Sequence, residues 1–104
     1  MNEKETTNAK ISNVELGIED HGFFNFWIHF EYGGLSQSTS ILYKIEDIAP
    51  MIKMILEVLE KKCWEDLPTT PVRVIHDHSK VYELGNFLKD EWINLETKQR
   101  HGTG

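Results

Sequence analysis

The sequence predicts an α+β domain in which an antiparallel sheet of about five strands, ordered β-β-β-α-β-β, packs on one amphipathic helix. Three observations carry this expectation. Apolar residues alternate with polar ones from Val14 to Ile18 and again from Phe24 to Tyr32, the two-residue period of strands with one buried face. Ile48, Met51, Ile52, Ile55, Leu56 and Leu59 then fall at the three- and four-residue spacing of a helix stripe. Finally, 104 residues of which 39% are hydrophobic suffice for one core and not for two.

The elements follow in order. Residues 1–8 are polar after the initiator Met and read as a flexible arm, with 9–96 as the folded domain and 97–104 as a flexible tail. Val14, Leu16 and Ile18 make the first strand, and Asp20-His21-Gly22 turns the chain. The second strand runs from Phe23 to Tyr32, with Phe24, Phe26, Ile28, Phe30 and Tyr32 toward the core and Asn25, Trp27, His29 and Glu31 on the opposite face. Gly33-Gly34 is a hairpin signal, and Leu35 to Tyr43 returns with a Ser-Gln-Ser-Thr-Ser run too small to bury much, which places this strand at an edge or beside a ligand. In the helix from Ile48, Asp47 is the expected cap and Pro50 falls in the first turn, where its missing donor costs nothing. Pro68 and Pro71 stop any continuation. Val72 to Ile75 and Val81 to Phe87 form a second hairpin about the His76-Asp77-His78-Ser79 turn. Leu88 to Leu95 satisfies both a helical and an extended spacing.

Charge narrows the function. Seventeen acidic against eleven basic residues give a formal charge of −6, which repels phosphate backbones, so direct nucleic-acid binding is not expected. A single cysteine, Cys63, suits a reducing compartment, and no apolar run reaches membrane-spanning length; a cytoplasmic protein without a membrane role is the expectation.

No chemical motif rises above its structural explanation. His76 and His78 make an H-x-H pair that His29 or Asp77 would have to complete as a metal site, whereas Asp77-His78-Ser79 is ordinary turn chemistry; no metal is expected. Cys63 reads as a small packed thiol, the Ser36, Ser38 and Ser40 strand lacks a nucleophile elbow, and the paired carboxylates are adjacent residues that point apart. Gly33-Gly34 joins strands and does not open a helix, so no phosphate loop and no cofactor is expected. Trp27 stands on the less apolar face of its strand. With His29, Glu31 and Tyr43 it forms the expected binding surface, and the bare strand edge beside Ser36 to Ser40 suggests a homodimer.

Trp64-Glu65-Asp66-Leu67, Val72-Arg73-Val74 and Leu84-Gly85-Asn86-Phe87-Leu88-Lys89-Asp90-Glu91-Trp92 together resemble a family of small proteins encoded by phages and prophages of Gram-positive bacteria. The shared pattern is structural and brings no catalytic residues with it. Pro68-Thr69-Thr70-Pro71 stands where that pattern more often has a glycine-bearing turn. The resemblance implies an accessory protein in the host cytoplasm that binds and does no chemistry. It would antagonise antiviral defence as an anti-CRISPR-like inhibitor or as a sponge for a signalling nucleotide. The alternative is an interaction module in phage DNA metabolism or regulation. Its partner is then a host or phage protein, or a small nucleotide.

Overall fold

The computed structural model describes residues 3–18, 20–22, 24–42 and 45–102; of these, 24–26, 40–42, 45 and 47 are described through their backbone elements alone. The protein is α+β. Its strands are β1 (Glu5–Ile18), β2 (Phe24–Tyr32), β3 (Leu35–Leu42), β4 (Pro71–His76), β5 (Val81–Asn86), β6 (Glu91–Asn94) and β7 (Gln99–Gly102), and the helix α1 (Ile45–Leu59) lies between β3 and β4. Every recorded pairing is antiparallel, and the order across the sheet is β3-β2-β1-β4-β5-β6-β7. Two meanders are thus joined along β1 and β4.

One face of this sheet is buried. Ala9, Ile11, Ile28, Phe30, Val72, Val74, Leu84 and Ile93 point toward Met51, Ile55, Val58 and Leu59 of α1, and Leu67 fills the loop below. At roughly 1.5–3 kcal/mol per buried side chain, this face and not helix propensity docks α1. Ile28 and Phe30 confirm that even positions of β2 face the core; the side chains at 24 and 26 lie outside the described residues. β3 is an edge strand, as its small side chains suggest.

Three expectations are corrected. The sheet has seven described strands, not about five. Of the ambiguous stretch, Leu88 to Asp90 form a bend and Glu91 to Asn94 are extended as β6, and β7 lies in the expected flexible tail. It is exposed along its whole length, so no amphipathic pattern could have announced it; backbone bonds to β6 hold it. Likewise Glu5 to Asn8, read as part of an arm, pair with His76 to Arg73, so β1 begins nine residues before Val14. β1 changes partner along its length: Glu5 to Lys10 lie against β4, and Lys10 to Ile18 against β2. The register slips between Ile11 and Asn13, which turns Val14 to the core side after the bulge at Ser12.

α1 starts at Ile45, so Asp47 lies within it rather than before it, and Pro50 falls past the first turn. Its other end closes with the Glu60 amide reaching the Glu57 carbonyl (3.2 Å) and Lys61 that of Leu56 (2.9 Å), with Glu60 at φ 57°. This is the Schellman arrangement with a glutamate where glycine is usual. The Asn86 amide donates to the Val58 carbonyl (2.8 Å) and ties β5 to the same end. The Gly33-Gly34 turn has φ 58° and 78°, the two left-handed residues a tight hairpin of this twist requires.

Candidate functional site

Alternation along β2 puts Trp27, His29 and Glu31 on the face of the sheet turned away from α1. Trp27 and His29 are half-buried and stack in parallel, with centroids 6.0 Å apart and planes 1° from each other. Two neighbouring strands fix the imidazole: Nε2 donates to Glu15 Oε2 at 3.2 Å from β1, and Nδ1 lies 2.6 Å from Ser38 Oγ on β3. Glu31 is exposed and faces Lys10 at 3.8 Å. The structure therefore brings together three of the four expected binding residues on one surface; Tyr43 lies outside the described residues.

His76, His78 and His29 do not converge. His76 is buried on the helix side of β4, His78 is exposed in the following turn, and His29 lies on the other face of the sheet. Asp77 performs the turn chemistry: Oδ1 accepts from Ser79 N (2.8 Å), Ser79 Oγ (2.6 Å) and Lys80 N (3.1 Å), and Oδ2 from Tyr82 Oη (2.6 Å). These donors, the Ser79 hydroxyl first, hold its carboxyl well below the ordinary carboxylate range. Cys63 is exposed just before the Trp64–Asp66 turn, which corrects the packed-thiol expectation, while Trp64 packs against the core. Among the described residues no cluster of three His, Cys, Asp or Glu side chains could hold a metal ion, and no helix is long and apolar enough to cross a membrane.

A second site went unnoticed in the sequence. A cavity of about 610 Å³ opens on the helix side between the first half of β1 and the β2–β3 turn, lined by Glu3, Glu5, Thr7, Tyr32, Gln37 and His76 among others. His76, 7% exposed, forms its floor. His76 Nε2 lies 2.8 Å from Thr7 Oγ1, and Nδ1 lies 3.3 Å from both Tyr32 Oη and the Asp77 carbonyl. Tyr32 donates to Gln37 Oε1, whose Nε2 donates to the Asp77 carbonyl at 3.0 Å. Burial, and then the Glu5 carboxylate, push the Tyr32 hydroxyl pKa up. Thr7 and His76 are 69 residues apart, so only their alternation within separate strands hinted that they share a face.

No protein-family model, curated protein or solved structure matches the chain.

The residues that carry the resemblance noted in the sequence occupy structural positions. Leu67 is fully buried, and Leu84 and Val74 lie in the core. Arg73 donates from Nε to the Asn86 carbonyl (2.9 Å) and from Nη2 to that of Lys89 (2.7 Å), with its guanidinium 4.8 Å over the Trp92 ring. The Asn86 side-chain oxygen accepts the Leu88 and Lys89 amides at 2.9 and 3.0 Å.

Proposed function

We propose that this protein is a non-enzymatic phage accessory protein that antagonises a host antiviral defence component by binding it through the outer face around Trp27, His29 and Glu31. The observation that supports the reading most is the Trp27–His29 stack, fixed from both neighbouring strands and bordered by Glu15 and Glu31 on a face that α1 leaves uncovered. A rigid aromatic presented among carboxylates suits a basic protein surface, such as one that ordinarily holds nucleic acid. A nucleotide stacked on Trp27 would bring its phosphates against those same carboxylates, which favours the protein partner over the nucleotide. The action belongs to the cytoplasm of the infected cell, and the edge position of β3 supports pairing with a second copy.

The test is affinity purification from nuclease-treated cells that carry intact defence systems, with Trp27→Ala beside the parent chain and circular dichroism on both. Retention of a nucleic-acid-binding defence protein by the parent and its loss from the variant is the expected result. Equal retention by both chains, or a complex that nuclease dissolves, would overturn the reading.

A further inference from the structure

The cavity beneath the β2–β3 turn plays no part in the outer face, and half-burying its hydroxyls and amide over a buried imidazole is a poor way to gain stability compared with apolar side chains. Its floor is ordered by a directed chain of hydrogen bonds. Tyr32 spends its proton on Gln37, and Gln37 spends its amide hydrogen on the Asp77 carbonyl. His76 Nδ1 faces the Tyr32 oxygen and the Asp77 carbonyl, the position of a ring N–H, so Nε2 is the lone pair that receives the Thr7 hydroxyl. With the hydrogens committed inward, Thr7 Oγ1 and Tyr32 Oη offer lone pairs to the cavity. Glu3 and Glu5 add carboxylates at its mouth; His78 also lines it, and no Lys or Arg does. An acceptor-rich concavity of this sign excludes phosphates and carboxylates and suits a group that only donates.

We propose that this cavity binds a small organic ammonium ion of the aliphatic polyamine class, with the ammonium held by Glu5, Thr7 Oγ1 and Tyr32 Oη over His76. Its volume of about 610 Å³ lies within the range of small-molecule sites. The rise in Tyr32 pKa reports the same geometry, since it is the Glu5 carboxylate that acts on the phenol once burial is counted.

The full chain should be titrated with spermidine and with putrescine by calorimetry, and followed by amide NMR shifts. Saturable binding is expected, with the largest shifts at Thr7, Tyr32 and His76. Glu5→Gln should weaken it about tenfold and Tyr32→Phe several-fold, while Glu65→Gln, which removes an equal charge from the Trp64–Asp66 turn, should leave it within about twofold. Circular dichroism checks that each variant folds. Equal weakening by Glu5→Gln and Glu65→Gln, no saturable binding of either amine, or equally tight binding of Mg²⁺ alone would overturn the proposal. Because Trp27 takes no part, this result is independent of the defence-protein reading.

Discussion

Trp27 and Trp92 share one face of the sheet, and each stacks on an imidazole that reaches a glutamate, yet they differ in kind. Trp92 lies parallel to His101 (8° between planes) and His101 bonds to Glu83, as Trp27 lies parallel to His29 and His29 bonds to Glu15. Trp92 is only 6% exposed. Its ring crosses Gly85, its Nε1 donates to Asp90 at 2.9 Å, and Arg73 covers it. Trp27 stays half-open on its strand. The same residue pair is therefore a clamp where a glycine lets the indole lie flat across the sheet, and a presented surface where no such gap exists.

Filling the gap should break that contrast most severely. A Cβ at Gly85 would stand 2.5 Å from Trp92 Cε3, so Gly85→Ala should cost about 2–4 kcal/mol in urea unfolding and shift tryptophan emission to the red. A loss below about 1 kcal/mol would mean that the indole finds another seat. Asn86→Ala removes the support beneath the same clamp, both the cap on α1 and the turn after β5, and should cost about 2–3 kcal/mol in the same assay.

Acid tests the β4–β5 turn, which belongs to neither tryptophan region. The folded pKa of Asp77 is depressed, so its contribution is complete above the unfolded value near about 4 and is lost as pH falls toward the folded one. Below about pH 4 the parent should lose stability faster than Asp77→Asn, which should be less stable than the parent near neutrality; parallel acid titrations of both by circular dichroism would refute this. The smallest stability effect belongs to Trp27→Ala, about 1 kcal/mol, accompanied by the largest loss of partner binding. A drop as large as that of Gly85→Ala would make Trp27 a second clamp and remove it from the candidate surface.

The sequence showed the helix stripe, the Gly33-Gly34 hairpin, the β4–β5 hairpin and the shared outward face of Trp27, His29 and Glu31, because each is written in local periodicity or turn chemistry. It hid β7, whose side chains are all exposed, and the start of β1, whose polar Glu5 to Asn8 are held by backbone bonds to β4. The packed-thiol reading of Cys63 failed for a related reason: the apolar neighbours Leu59 and Trp64 did not tell which way the chain turns after α1.

By itself, then, the sequence determined the α+β class, the core stripe and one face of the candidate surface. Tertiary structure alone decided that β1 bridges two meanders, that Trp92 is sealed over Gly85, and that Thr7, Tyr32, Gln37 and His76 meet around a cavity. The reason is physical. Periodicity fixes which way a side chain points within its own strand, but which strands lie side by side is set by closing long loops against the joint burial of distant faces, and no local pattern records that sum.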